Sequence, residues 1–591
     1  MPRMKYLFTA LAILVCLSEG FGQTLPNINR PIVRVGGNIS ENRTFFRDTV
    51  YLIVGFTTIP ANVTLTIQPG TILLSDFESK GTLITERGRD GSPAAPGAAR
   101  RSGRIIANGT ATDPIIFTST RPNGQKRRGD GGGIVLNGLA PNNGPGGILV
   151  GEGNTGIHGG NTPMDTSGIF RYVRIEFGGT KITPDNEVNG WTFNSTGAGT
   201  VCEYLQAHFI ADDGFEWFGG TVDGRYLVAT GVDDDMFDMD NSYCGRLQFL
   251  VGVEDRALAN RGYEIDNDAT GSTARSTLGV LTCPTVYNVT LIGAGVARAG
   301  DDNNDGIYVR RNAQGLFWNH IVVNFGGFGF VVDGSASRGQ FDRDSLFVRN
   351  SIMLNRGLLP LGTGTAKVDS LVAWGAFRAG TPAVYDTAGF YGRANAWGVR
   401  TVNPQLVGLT SAILNGTANP ISGQPLDLRP QAGSPALTGG ARPRNFSRFP
   451  GDNANFFDTT ATFIGAFNQT TNWMSGWTVW ATNATTFNLV SRVVEERALE
   501  SRPTRFELSQ NYPNPFNPTT NIRFSLPSSE VVTLKIYDIT GREVATLING
   551  ERRAAGVYQL TYDASALASG VYLYRLQAGS FVDTKKMTLI K

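Results

Sequence analysis

The sequence predicts an all-β protein: a right-handed parallel β-helix (a solenoid), followed by a small antiparallel β-sandwich of immunoglobulin-like kind. Three observations carry this expectation. Short β-branched runs broken by Gly, Asn and Asp recur at imperfect intervals of about 20 residues, the signature of stacked supersecondary units. The C-terminal residues 505–591 hold several short segments in which apolar and polar side chains alternate. Helical periodicity is scarce throughout.

The recurring runs begin at Leu65-Thr66-Ile67 and continue through Ile105-Ile106, Ile115-Ile116-Phe117 and Ile134-Val135-Leu136. Further on lie Tyr172–Phe177, Tyr204–Ala207, Arg225–Val228, Leu247–Leu250, Val289–Ile292, Ile321–Asn324 and Leu346–Ile352. In a parallel solenoid such runs stack their inward side chains from coil to coil. Gly/Pro/Asn-rich excursions interrupt them near 88–103, 120–132 and 139–165. The 357–430 stretch is less regular. Residues 481–504, with the charged run Arg492–Arg497, read as a linker. Beyond it, Val531–Tyr537, Tyr558–Tyr562 and Val571–Arg575 show the period-2 alternation of half-buried strands. The chain therefore divides into a leader at 1–22, a β-helix at 23–480, the linker and the sandwich at 505–591.

The leader follows from charge and length. Arg3 and Lys5 precede an apolar run from Leu7 to Leu17, and the small residues Gly20 and Gly22 stand before Gln23. That is the pattern of a secretory signal peptide with cleavage after Gly22. The run is too short to span a bilayer, and no other long apolar stretch follows, so no transmembrane segment is expected. A formal net charge of +2 on 591 residues gives no electrostatic case for nucleic acid. With 34 Phe, 17 Tyr and 8 Trp the chain has ample apolar matter for a core.

The sandwich carries an address. Its run Asn511-Tyr512-Pro513-Asn514-Pro515-Phe516-Asn517-Pro518, followed by Leu534–Asp538, Gly541–Val544, Gly556–Tyr558, Gly570–Leu576 and Lys585–Met587, resembles the C-terminal sorting domain of bacterial type IX secretion. The resemblance implies passage across the outer membrane through the type IX machinery, then release or surface attachment. The middle of the chain, through Leu65–Thr71, Ile169–Gly179, Asp212–Gly220, Glu264–Asp268, Ser434–Leu437 and Asn472–Trp477, is similar to secreted bacterial β-helix proteins that often carry this sorting domain. That similarity implies fold and location and brings no catalytic residues.

The sharpest chemical feature is acidic. Taking Leu205, Leu227 and Leu247 as equivalent inward positions, an ungapped count places Asp212, Asp234 and Glu254 in one column. Asp213, Asp235 and Asp255 fall in the column beside it. Neighbouring coils stand about 4.8 Å apart, so the carboxylates would repel by roughly 1 kcal/mol per pair in water and more when buried. A bound divalent cation, calcium in particular, would offset this, since calcium takes about six to eight oxygen ligands. Shared protons are a second answer. Solvated turns are a third, because Asp favours turns for local reasons. Glu216 and Asp238 also coincide between coils, and Asp240, Glu264, Asp266 and Asp268 add acid nearby.

The leading expectation for function is binding or adhesion to a polysaccharide or surface. A polysaccharide lyase or hydrolase and a structural surface-layer component are the alternatives. A lyase would need a cation and a basic proton abstractor, for which Arg310 and Arg311 stand available, although salt-bridged arginines at a strand end fit those positions better. The Gly-His-Gly and Arg-Ile-Lys motifs of polygalacturonases are absent. Trp217, Phe218, Phe317 and Trp318 suit stacking on sugar rings or inward stacking in the solenoid. His158, His208 and His320 lack zinc-type spacing to a second ligand. Of the three cysteines beyond the leader, Cys202 and Cys244 fall two coils apart, about 9–10 Å, past the reach of a disulfide at about 7 Å. Cys283 remains as a partner for either.

Overall fold

The computed structural model describes residues 26–489, 493–498 and 503–591, apart from short internal segments, the longest of which are 356–371 and 375–395. The expected signal peptide lies outside the described residues, as does much of the less regular 357–430 stretch.

Each middle coil contains one long strand and one short strand. The long strands Gly168–Glu176, Val201–His208, Asp223–Thr230, Arg246–Val253, Thr285–Ile292 and Gly315–Val323 pair in parallel with one another in chain order. A single residue near the middle of each strand has a left-handed backbone: Tyr172, Tyr204, Tyr226, Phe249, Asn288 and Asn319, with φ between 48° and 62°. A Cβ makes this conformation costly, so neighbours must support it. Tyr172, Tyr204, Tyr226 and Phe249 do so by stacking ring on ring at 4.3, 4.3 and 4.9 Å. The bend splits each long strand into two arms, and the arms build two sheets. The short strands Trp191–Asn194, Phe215–Phe218, Phe237–Asp240, Tyr263–Ile265, Ile307–Val309 and Phe330–Val332 form the third sheet.

Inside, like stacks on like. Leu205, Leu227, Leu250 and Val289 form one inward row, and Trp191, Phe215, Phe237, Tyr263 and Ile307 form another, all fully buried. Trp217 and Phe317 belong to this interior, whereas Phe218 and Trp318 face outward and are half-buried. Trp318 lies against Tyr287, with ring centroids 5.9 Å apart.

One sequence expectation is corrected by the register. Leu227 stands opposite Leu250, and Leu247 stands opposite Gly224. Both leucines point inward although they are three residues apart, because the left-handed bend at Phe249 resets the alternation of the strand. The ungapped count therefore ran three residues out of step in the third coil.

A second core lies outside the solenoid. The chain returns over residues 441–489 as a strap along the first two sheets, from late coils to early ones. Asn319 donates to the Ala441 carbonyl, Asn288 to Phe463, Gln206 to Val479, Arg174 to Trp477 and Asn123 to Phe487, all at 2.7–2.8 Å. Trp477 packs edge-on to Tyr172 and Tyr204, and Trp473 to Tyr226, so the aromatic ladder is covered by the protein's own chain. The strap's apolar side chains, with Val228, Val251, Ile292 and Ile321, make a separate buried cluster.

A disulfide joins Cys244 to Cys283, with Cα atoms 4.7 Å apart, in the turns that lead into two adjacent coils. Cys202 is free and buried.

The C-terminal domain is an antiparallel sandwich around its own core of Leu508, Phe516, Ile522, Leu534, Tyr574 and Met587 among others. One sheet is Glu543–Arg553, Glu530–Asp538, Gly570–Ala578 and Phe581–Leu589. The other contains Glu507–Leu508, Thr519–Leu526 and Gly556–Asp563. Within the stretch read as a linker, Val493–Ala498 forms a strand. It pairs antiparallel with Gly556–Asp563 and parallel with Ile32–Asn38 of the first coil, so one strand is shared by sandwich and solenoid. In the sorting motif, Asn511 is buried and donates to the Pro513 carbonyl and Thr520 hydroxyl, while its own N–H reaches the Tyr574 hydroxyl. Phe516 plugs the core, Pro518 accepts from the Ala564 N–H, and Asn514 holds the Lys586 carbonyl and Thr588 N–H. Tyr512, Pro513, Pro515 and Asn517 are exposed.

Candidate metal centre

The acidic residues gather on the third sheet and the turns that feed it. Asp212-Asp213 and Asp234-Asp235 occupy matching positions just before Phe215 and Phe237, which pair directly. Because Phe237 pairs with Tyr263 and Tyr263 with Ile307, the next two coils place Asn260-Arg261 and Asn304-Asp305 in those columns. Arginine therefore stands where a third aspartate was expected. A further column runs along the outward face of the sheet: Glu216 beside Asp238, Asp238 beside Glu264, and Glu264 beside Tyr308.

Two groups have the geometry to hold a cation. Asp212, Asp213 and Asp234 present carboxylate oxygens within 4.8 Å of one another, and so do Asp213, Glu216 and Asp238. Asp213 belongs to both. One Oδ1 each of Asp235, Asp238 and Asp240 is buried without a hydrogen-bond partner. Asn189 donates to Glu216, and Asn260 to Asp234. The Asp235 N–H donates to Asp213 Oδ1 at 2.8 Å.

Charge is under-compensated here. Burial, then Asp234 and Glu187, push the Asp212 carboxyl up to about 8. Burial, followed by their acidic neighbours, holds Asp213, Glu216, Asp238 and Asp240 well above the carboxylate range. Glu152, from the 139–165 excursion, is pushed up to about 7 by burial and by Glu187 of the neighbouring hairpin. At the far end the balance reverses. Arg261 pairs with Glu264 and stands 3.6 Å from Asp235, and Arg310 pairs with Glu264 and, at 2.9 Å, with Asp266. Arg311 pairs with Asp266 as well. These arginines are the salt-bridged strand end that their positions suggested.

The structure brings together Asp212, Asp213 and Asp234, and sets Asp235 beside them against Arg261. It does not bring in Glu254 or Asp255. Glu254 follows Val253, the partner of Thr230, and so closes the second sheet several residues before the acidic turn. It accepts from the Ala294 N–H at 2.7 Å and from Asn304 at 3.0 Å. Asp255 pairs with Arg128 at 2.6 Å and with Asn419 at 2.8 Å. The contributions of Glu152 and Glu187 escaped sequence reasoning, because excursions of irregular length carry no periodic signal to place them.

The histidines serve the scaffold. His158 bonds Ser195, His208 bonds Thr230 and the Ala481 carbonyl, and His320 bonds Tyr263 and the Trp318 carbonyl. Burial pulls them down to about 3, 4 and 3, so all three are neutral.

Residues 37–370 match the family model described as pectate-lyase like beta helix domain, and residues 510–591 match that of the secretion system C-terminal sorting domain. Neither the curated proteins nor the solved structures contain a match to the chain.

Proposed function

The chain belongs to the pectate-lyase like β-helix family and is a secreted protein exported by type IX secretion through its C-terminal sorting domain; from that premise we propose that it binds a polysaccharide at the cell surface through calcium held on the third sheet. No helix among the described residues is long and apolar enough to cross a membrane. The observation that carries the reading is the pair of carboxylate triads sharing Asp213. Buried carboxylates at this spacing need a cation or protons, and the unbonded Oδ1 of Asp238, a member of the second triad, leaves a lone pair for coordination. A calcium ion there would take about six to eight oxygen ligands, more than the three carboxylates of one triad supply, and sugar oxygens could complete the set. The strap's hydrogen bonds reach the first two sheets and not the third, whose outward Glu216 and Glu264 are nonetheless buried, with the 139–165 excursion bonded across the end of the sheet at Gly220 and Asn241.

The lyase alternative finds less support. An arginine acting as proton abstractor must lose its proton readily; burial pulls the Arg310 guanidinium down, but Glu264 and Asp266 together outweigh it and hold the group above its ordinary range.

Thermal unfolding with and without calcium tests the reading. Calcium should raise the melting temperature by mass action, and metal should appear in elemental analysis. Replacing Asp213 and Asp238 together with Asn should remove most of that response and raise stability in chelator. The pH dependence has a definite sign. A carboxyl raised in the folded state binds its proton there before the unfolded chain does, so stability falls as pH rises. In chelator the melting temperature should therefore climb as pH is lowered from about 8, the value Asp212 reaches, towards about 4. Calcium should flatten the slope. A melting curve indifferent to calcium would rule out the cation. On a polysaccharide panel, retention without release of unsaturated ends supports binding, and release supports the lyase.

A further inference from the structure

A hairpin stands directly on the acidic cluster. Its strands Thr180–Thr183 and Asn186–Val188 pair antiparallel, with Lys181 opposite Glu187. Both feet of the hairpin touch the acidic turn. At one foot the Gly178 carbonyl accepts from the Ala211 N–H at 3.0 Å, and a Cβ on Gly179 would lie 3.3 Å from the Asp212 backbone nitrogen. At the other, Asn189 accepts from the Asp213 N–H at 3.3 Å and donates to Glu216. The hairpin leans on the 139–165 excursion as well: a Cβ on Gly153 would stand 2.7 Å from Ile182 and 3.2 Å from Val188. Glu152, next to Gly153, is thereby brought within electrostatic reach of Asp212 and Glu216.

A cation rides on this hairpin. The Lys181 Nζ stands 3.7 Å from Glu187 Oε1, and 54% of its side chain is exposed. Burial pulls the ammonium down, but Asp212, Glu187, Asp234 and Asp233 outweigh it and hold the group above its ordinary range. The coupling runs both ways: burial, Asp234 and Glu187 raise the Asp212 carboxyl, and Lys181 opposes them. The arginines nearby are committed elsewhere. Arg261 and Arg310 pair with Asp235, Glu264 and Asp266 at the far end of the sheet. Lys181 differs from them in its mounting. Its charge sits at the end of a flexible four-carbon stem that is open to solvent, so it can swing away without breaking a packed contact.

We propose that Lys181 is a tethered counter-ion of the metal centre: its ammonium partly neutralises Glu187 and Asp212 before calcium enters, and gives way when the ion arrives. The proposal rests on the cation reading and adds the regulation of that site. Calcium in the triad of Asp212, Asp213 and Asp234 brings two positive charges to the carboxylates that the lysine attends, and the two cations then repel. Lys181 therefore holds calcium affinity below what the carboxylates alone would give, and ties it to ionic strength. A divalent ion and an ammonium roughly 8 Å apart in high dielectric repel enough to weaken binding about fivefold. Salt screens this repulsion, because the lysine stands in solvent.

The test is calorimetric titration of the full chain with calcium chloride at low and high salt. At low salt Lys181→Gln should bind calcium about fivefold more tightly than wild type, and Lys181→Arg, which keeps the charge, should match wild type. The gap between Lys181→Gln and wild type should close in about 1 M salt, where the Debye length is about 3 Å. In chelator at low salt the order reverses: Lys181→Gln, having lost the counter-ion, should melt below wild type, and Lys181→Arg should melt with it. Calcium binding by wild type with no gain in Lys181→Gln would overturn the proposal and spare the cation reading. A gain of equal size at both salts, or one shared by Lys181→Arg, would show a change of packing and overturn it too. Unchanged melting of Lys181→Gln in chelator would show that the ammonium leaves the acids alone, again overturning it. Calcium taken up by neither wild type nor Lys181→Gln would refute the cation reading itself, and the proposal with it.

Discussion

Removing residues 505–591 is expected to leave a folded β-helix trapped in the periplasm. The physical basis is the separation of cores. The solenoid interior and the strap cluster share no residue with the sandwich core. Truncation therefore opens no cavity in either remaining core, and the shared strand Val493–Ala498 keeps its parallel pairing with the first coil. The antiparallel partner Gly556–Asp563 is lost, together with Arg552 and Arg553, which line a shared pocket with Val33, Arg43 and Tyr51 of the first coils. Circular dichroism should show the β-rich spectrum and a cooperative melt within a few degrees of the full chain. Fractionation should show the secreted amount fall to background. Truncated protein in the medium at the normal level would overturn the sorting role. For the intact protein, mass measurement of the surface form is expected to show this domain removed.

The second large effect is expected at Arg246. Its side chain is fully buried between Asp223, at 2.6 Å, and Asp452 of the strap, at 2.8 Å. Arg448 bridges the same two carboxylates at 2.9 and 3.0 Å. Arg246 also donates to the Phe446 and Asn453 carbonyls. Two arginines and two aspartates thus balance in a largely buried site that joins the first sheet to the strap. Arg246→Met keeps most of the volume but leaves two buried carboxylates facing one cation. Breaking a buried pair from one side costs about 3–5 kcal/mol. Chemical denaturation should register that loss, and limited proteolysis should begin to cut within 441–489. Adding Asp452→Asn should recover part of it, as a double-mutant cycle of coupled groups requires. A loss below about 1 kcal/mol would mean the network contributes little.

The fold was legible because its signals are periodic. β-branched runs at coil spacing gave the solenoid, and alternation in 531–575 gave the sandwich. The acidic turn was legible in two coils, where Leu205 and Leu227 are true equivalents. It failed in the third, because Leu247 and Leu250 are both inward leucines and only the bend at Phe249 tells them apart. Side chains there follow a broken alternation that no count along the chain reveals. The outward column of Glu216, Asp238 and Glu264 could be read only in part for the same reason. The strap could not be read at all. Asn472–Trp477 looks like one more run, and its task of covering Tyr172 and Tyr204 depends on contacts some three hundred positions distant in the chain, as between Arg174 and Trp477.

The returning strap also decides where mechanical load enters the molecule. The chain travels out along the coils and comes back over their outer face, so the sorting domain joins at the first coil and not at the last. During export, while the C-terminal domain is still attached and holds the protein, tension passes through Val493–Ala498 into Ile32–Asn38, a parallel strand pair. The late coils around Gly315–Val323 then form the free end, carrying no force. A fall in the pulling force needed to detach the strap, after Arg246→Met, would be felt between anchor and solenoid before any coil is disturbed.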